Sequence, residues 1–348
     1  MAPPADTPPA DTAAERAAFY DTIRPQSLTP LWEVMAGLIT PEPQSGCRPV
    51  HWSYPAVRPH VLASGAIISA EEAERRVLVL ENPGLAGLSR ATTSLYAGLQ
   101  LVLPGEIAPA HRHAQTALRF LIEGEGGYTT VAGERVTMRP GDFVITPTWG
   151  WHDHGNLGDG PVVWLDGLDI PMIQLLDTSF AERSAEKART PTEPPGASLA
   201  RYGSAMLPDE TPPGQTSPVF HYPYDRSKAA VAAAPLDACH GRRLRYVNPL
   251  TGGHAMPTMA AYLQAFDAGF ETRPYRATDA TVFCVAEGEG ESEIGGETFR
   301  WGPGDVLVAP SWAWRRHRAR TDAVVFGFSD RVVQEKLDLW REDRGNTP

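Results

Sequence analysis

Residues 120–154, FLIEGEGGYTTVAGERVTMRPGDFVITPTWGWHDH, return as residues 284–317, CVAEGEGESEIGGETFRWGPGDVLVAPSWAWRRH. Each copy reads strand, EGEG turn, strand, GE turn, strand, PGD turn, strand, then a proline and two tryptophans. Repetition on this scale constrains the fold more than any local propensity does. The 32 glycines and 33 prolines punctuate short apolar runs, as expected of many short strands rather than long helices. Antiparallel meanders of this kind close on themselves and so remove exposed edges. The expected fold is therefore all-β: two tandem barrels with a few peripheral helices, at 13–23, 31–38, 173–179 and 331–342.

The expected organisation along the 348 residues is a disordered tail over 1–15, a first barrel over 16–180, a linker over 181–240 and a second barrel over 241–345. The linker is rich in Pro, Ser and Thr and is expected to run over the surface. A net charge of -11 argues against a protein that tracks nucleic-acid phosphates, although a few local cations can still receive a small anion. Cys47, Cys239 and Cys284 are far apart and lack CxxC spacing, so neither a disulfide framework nor a zinc ribbon is expected. No stretch has the roughly 18 consecutive apolar residues of a membrane span, and the Pro/Ala-rich start lacks the apolar core of a secretory signal. The expectation is a soluble cytoplasmic protein without membrane or nucleic-acid partners.

The chemistry concentrates in PAHRHAQTALRF, residues 109–120, and WHDHGN, residues 151–156. On a strand, residues i and i+2 share a face about 7 Å apart, so His111 and His113 can converge on one ion. His152 then has to arrive from a neighbouring strand. Neutral imidazoles suit Fe, Zn, Cu or Ni, and three of them leave coordination positions open. A lone histidine would read as a packed or solvated side chain. The repeat supplies an internal control: His111, His113, Arg119 and His152 align with Tyr275, Ala277, Phe283 and Arg315, while His154 alone aligns with a histidine, His317. The second barrel keeps its turn glycines and its Pro-x-Trp element without these ligands, so folding does not require them.

Arg119 shares parity with His111 and His113 and faces the barrel interior if one unbroken strand carries all three. A buried guanidinium needs an anion, either a ligand carboxylate or a protein carboxylate such as Asp166. In SLYAGLQLVL, Leu95, Ala97, Leu99, Leu101 and Leu103 form one apolar face. Tyr96, Gly98 and Gln100 form the other, which either lines a pocket or meets water.

The spacing of these two motifs resembles that of the cupin superfamily, with Ala117 and Leu118 near the place of its usual glutamate ligand. The longer stretches LYAGLQLVLPGEIAPAHRHAQTALRFLIEGEG and GDFVITPTWGWHDHGN are similar to the gentisate 1,2-dioxygenase family, which includes salicylate and 1-hydroxy-2-naphthoate dioxygenases. The resemblance implies a bicupin, two double-stranded β-helix (jelly-roll) barrels, assembled as a homotetramer. It implies Fe(II) held by His111, His113 and His152, and O2-dependent, extradiol-type cleavage of gentisate between C1 and C2 to maleylpyruvate. Arg119 would take the carboxylate of the aromatic acid and His154 would hydrogen-bond near the phenolic oxygen. Tyr96, Gly98 and Gln100 would line the ring pocket, with Arg75 and Asp166 as further contacts. Gly98 leaves room for rings other than gentisate, and Tyr96 serves as a donor to the ring or as a packing aromatic.

Two other readings remain. One is a broader salicylate-type 1,2-dioxygenase acting on substituted salicylates or 1-hydroxy-2-naphthoate; the other is a non-catalytic metal-binding bicupin. An oxalate-decarboxylase-like site is disfavoured because the glutamate ligand is missing.

Overall fold

The computed structural model describes residues 12–210 and 214–345. Residues 1–11 of the expected tail lie outside the described residues, and from Thr12 the chain is helical. Up to Gln44 it forms a unit of its own, with helices Thr12–Ile23 and Leu31–Leu38. Trp32 Nε1 donates to the Tyr20 hydroxyl at 2.8 Å and joins the two.

From Ser45 onward the chain builds two barrels by antiparallel pairing. In the first barrel, one sheet has the order 221–222, 143–146, 117–123, 162–168, 96–102, 77–79, and the other 181–183, 107–113, 152–156, 127–131, 134–137. The second barrel repeats the larger sheet with the order 50–52, 306–309, 281–287, 323–329, 260–266, 241–245, 236–237. Its smaller sheet is 297–301, 290–294, 315–319, with a separate pair 276–277 and 342–343.

The period-2 alternation decides what each face does. Leu99, Leu101, Leu118, Phe120 and Leu165 point out of the first barrel into one core shared with Leu263, Val282, Phe326 and Phe328 of the second. The Phe120 and Phe326 rings stack at 4.4 Å, an arrangement worth about 0.5–1.5 kcal/mol beyond area burial. The opposite face of the same strands supplies a small apolar floor inside the first barrel, including Leu121, Val144 and Trp164.

The two barrels are laced together reciprocally. Strand Val50–Trp52 pairs with Val306–Val308 of the second barrel, and His221–Tyr222 pairs with Phe143–Val144 of the first. A helix follows each strand, Tyr54–Ser64 and Tyr224–Ala232. Both helices dock on a PGD turn. Asp305 accepts from the Tyr54 N–H at 2.6 Å and pairs with His51 Nε2 at 2.8 Å. Asp142 accepts from the Tyr224 N–H at 2.8 Å and pairs with His221 Nε2 at 2.8 Å. Glycine is required in these turns: Gly141 and Gly304 have φ of +87° and +83°, and a Cβ would lie 2.4 and 2.7 Å from the Tyr224 and Tyr54 rings.

This lacing redraws the expected boundaries. Residues 50–52, expected within the first barrel, pair with the second, and the expected linker 181–240 supplies two edge strands to the first. Edge pairing satisfies backbone groups that a free surface loop would leave to water. The helices at 173–179 and 331–342 are instead Ile170–Leu175 and Arg331–Lys336. Helices Tyr54–Ser64, Ala197–Tyr202 and Tyr224–Ala232 were not anticipated. Pro55 sits in the first turn of its helix, where no N–H is needed, so a segment that reads as a loop is helical. Among the described residues no helix is long and apolar enough to cross a membrane.

Candidate metal and substrate site

His111 and His113 lie on strand Ile107–His113, and His152 and His154 on its neighbour His152–Asn156. Register places His111 directly opposite His152, across a bulge between Ala108 and His111 that re-aims the histidine-bearing end of the strand. One ring nitrogen from each of His111, His113 and His152 lies within 4.8 Å of the others. The His113 Nδ1–H donates to the Gln115 carbonyl at 2.9 Å, and the His152 Nδ1–H to the Gly150 carbonyl at 2.8 Å. These bonds fix the tautomers with Nε2 unprotonated. His152 Nε2 is buried with no hydrogen-bond partner.

Burial is the first cause of every imidazole shift here. It pushes His111 down to about 2, reinforced by the Arg75 charge, and His113 down to about 4 against the pull of the Gln115 carbonyl. His152 and His154 are held well below the ordinary histidine value by burial and by Arg119. All four rings are therefore neutral at pH 7, the form that ligates metals.

Arg119 reaches the same interior by a different route from the one its parity suggested. The chain breaks at residues 114–116, so Arg119 sits on strand Ala117–Glu123 of the other sheet. There Leu118 and Phe120 face the inter-barrel core and Arg119 the barrel interior. Its Nη1 donates to Thr146 Oγ1 at 2.7 Å and its Nη2 to His154 Nε2 at 3.0 Å. Its Nε lies 3.6 Å from Asp166 Oδ1 and makes no hydrogen bond. The internal ion pair with Asp166 thus exists, and two of the five guanidinium N–H groups are committed. Burial resists both charges, pushing Asp166 up to about 6 and Arg119 down from its ordinary value. A second cation, Arg75, donates from Nη1 to the Pro109 carbonyl at 3.0 Å and from Nη2 to His111 Nε2 at 3.3 Å. Two guanidiniums and one carboxylate in this interior leave excess positive charge.

His154 has both nitrogens engaged: Nε2 accepts from Arg119, and Nδ1–H donates to Thr129 Oγ1 at 2.9 Å. In the second barrel the matching pair is His317 and Ser292, 2.7 Å apart. Tyr96, Gly98 and Gln100 lie opposite Leu168, Asp166 and Trp164, so their face is the interior one. Gln100 Nε2 is buried without a partner. The room attributed to Gly98 is already taken, because a Cβ there would lie 2.4 Å from Val77 Cγ1 and 3.0 Å from the Tyr96 hydroxyl.

Sequence reasoning missed Thr146 and Thr129, which hold Arg119 and His154. It also missed the role of Arg112, whose guanidinium lies between Trp149 and Trp151 at 4.4 and 4.7 Å. Arg276 lies between Trp312 and Trp314 at 4.4 and 4.5 Å in the second barrel. Both Trp149 and Trp312 adopt positive φ, 59° and 62°. The signal was present: the Pro-x-Trp element and the middle arginine of HRH persist in the copy that lacks His111, His113 and His152.

Residues 98–168 and 262–327 each match the cupin domain family. The chain is 53% identical to gentisate 1,2 dioxygenase 1 of Aquipseudomonas alcaligenes, covering 95% of this chain and 96% of that one. It is 34% identical to 5-aminosalicylate 1,2-dioxygenase of a Comamonas species, covering 95% and 91%. The crystal structure of salicylate 1,2-dioxygenase from Pseudoaminobacter salicylatoxidans with gentisate superposes with a TM-score of 0.90 at 34% identity, covering 99% of this chain and 96% of that one. With the repeated barrels and the site geometry, these similarities show that the chain belongs to the gentisate 1,2-dioxygenase family of bicupin ring-cleaving dioxygenases.

Proposed function

We infer that this chain is an Fe(II)-dependent, extradiol-type dioxygenase that opens gentisate between C1 and C2 with O2, giving maleylpyruvate. One juxtaposition carries the reading: three neutral imidazoles within 4.8 Å of one another beside the buried guanidinium of Arg119. The residues fit a metal. His152 Nε2 is an orphaned buried acceptor that an ion would satisfy, and a three-histidine set leaves positions open for substrate and oxygen. A bound ferrous ion supplies the redox chemistry by which an electron-rich phenolate and O2 react.

The remaining work falls to the chain's own side chains. Arg119, with uncommitted donors, binds and orients the substrate carboxylate, and Asp166 and Thr146 hold its fork in place. Arg75 adds the second positive charge. The carboxylate competes for the Arg119 Nη2 donor and frees His154 Nε2 to meet the neighbouring hydroxyl, so binding at one group prepares the other. Tyr96, Gly98 and Gln100 line the ring, and the barrel wall keeps bulk water out. The para hydroxyl of gentisate, absent from salicylate, raises ring electron density and eases cleavage. The protein is read as a cytoplasmic homotetramer on its family resemblance.

The test is oxygen uptake by anaerobically Fe(II)-reconstituted protein, with gentisate and salicylate supplied separately and absorbance of the ring-opened keto acid followed. Uptake with gentisate and formation of the keto acid are expected. Comparable turnover of salicylate would favour the broader salicylate-type reading, in keeping with the salicylate dioxygenases among its relatives. Bound iron with no uptake on either acid would overturn the enzyme assignment in favour of a non-catalytic bicupin.

A further inference from the structure

In the second barrel, Tyr275 pairs with Arg315 in the register that His111 and His152 occupy in the first. Arg315 stands between the rings of Tyr275 and Phe283 at 4.9 and 5.5 Å. Where the first barrel gathers neutral imidazoles, the second thus supplies a cation of its own. Arg315 is 5% exposed, and its Nη1 has no hydrogen-bond partner. A buried guanidinium in that condition calls for an anion nearby.

The adjoining cavity, about 490 Å³, is suited to one. His240 lines it and packs on Tyr275 with ring centroids 4.5 Å apart. Four arginines line the same cavity, Arg243, Arg245, Arg331 and Arg344, against two carboxylates, Asp237 and Glu342. Asp237 is held by Arg344 at 2.6 Å, Arg331 pairs with Glu335, and Glu342 accepts from the Tyr275 hydroxyl at 3.1 Å. Arg243 and Arg245 form no ion pair among the described residues: Arg243 Nη1 lies 3.4 Å from the His240 ring nitrogens, and Arg245 donates to the Gly252 carbonyl at 3.1 Å. Arg243 stacks on Tyr262 at 3.6 Å, which holds its planar fork while leaving the edge donors available.

We propose that this cavity is a binding site for a small organic dicarboxylate, held by Arg243 and Arg245, with Arg315 behind the Tyr275 ring that backs His240. The two arginines alternate along one strand, so they lie on one face about 7 Å apart. Two carboxylates joined by a short carbon chain match that spacing better than a single compact phosphate does. Tyr262 and Trp340 supply the apolar wall for the carbon chain.

The test is isothermal titration of the full-length protein with succinate, glutarate and inorganic phosphate. One diacid is expected to bind saturably at one equivalent per chain. Arg243→Met and Arg245→Met are each expected to weaken it by about tenfold or more, the loss of one charge-assisted contact, whereas Arg119→Met leaves it unchanged. Arg245 is exposed, so its replacement does not threaten the fold. Absence of saturable binding up to about 10 mM diacid would overturn the proposal. So would phosphate binding as tightly as the diacids, or loss of binding in Arg119→Met with both second-barrel variants intact.

Discussion

Metal affinity at the His111, His113 and His152 site is expected to be almost flat between pH 8 and pH 6. An imidazole with the ordinary value near 6.5 is about three-quarters protonated at pH 6 and a few per cent protonated at pH 8. Each must shed its proton to ligate, which weakens apparent affinity about fourfold per ring and about 70-fold for three. Here His113 sits at about 4 and His111 at about 2, with His152 well below its ordinary value. At pH 6 His113 is then only about 1% protonated, and the summed penalty stays below about 1.1-fold. The sign follows from the cause: burial and the neighbouring guanidiniums disfavour the protonated rings, so acid has to go well below pH 6 before protons compete with the ion. The interval stays above the sequence pI of about 5.4, where solubility would interfere. The assay is anaerobic competition for Fe(II), or for Co(II) as a surrogate, against a chelator calibrated at each pH. A fall of tens-fold from pH 8 to pH 6 would refute the argument that the interior holds these rings neutral.

Further outcomes follow from other contacts. Arg119→Met is expected to lower kcat/KM for gentisate by about 10- to 150-fold, the value of one charge-assisted hydrogen bond of about 1.5–3 kcal/mol, without rescue by Lys, which lacks the fork. His152→Ala leaves two of the three ligands, and its iron content after reconstitution and desalting is expected to fall far below one per chain. Arg112→Ala and Arg276→Ala each remove a guanidinium held between two tryptophans, at about 0.5–2 kcal/mol, and lower Tm similarly. Only Arg112→Ala is expected to weaken metal binding as well, because its neighbours in the chain are ligands. Gly98→Ala forces its Cβ onto Val77 and costs about 1–3 kcal/mol of overpacking in urea denaturation, and Val77→Ala in the same chain is expected to recover most of it.

The HRH and WHDHGN histidines were legible in the sequence because strand geometry puts alternate residues on one face. Their absence from the repeat marked them as candidates for a functional rather than a structural role. That Tyr96, Gly98 and Gln100 share one face was legible for the same reason, since Leu95 to Leu103 alternate cleanly, but only the pairing with strand 162–168 shows that this face is the interior one. At Arg119 parity gave the right face by the wrong route: the break at 114–116 moves it to the opposite sheet, and it enters the same interior from across the barrel. Thr129 and Thr146 carried no signal, since a buried threonine has no periodicity that distinguishes it from a packing residue.

What the sequence alone determines here is local and repetitive: the positive-φ turn glycines, the alternation of strands, two barrels, and the histidines that cluster in one of them. Only the tertiary structure decides which barrel each edge strand joins. Val50–Trp52 pairs with the second barrel and His221–Tyr222 with the first, because their tyrosine-led helices cover the PGD glycines of the barrel they pair with. It alone decides, too, that Arg119 is held by Thr146, Asp166 and His154. Such pairings depend on packing between residues far apart in the chain, and a one-dimensional pattern records the face a side chain takes but not the partner it meets there.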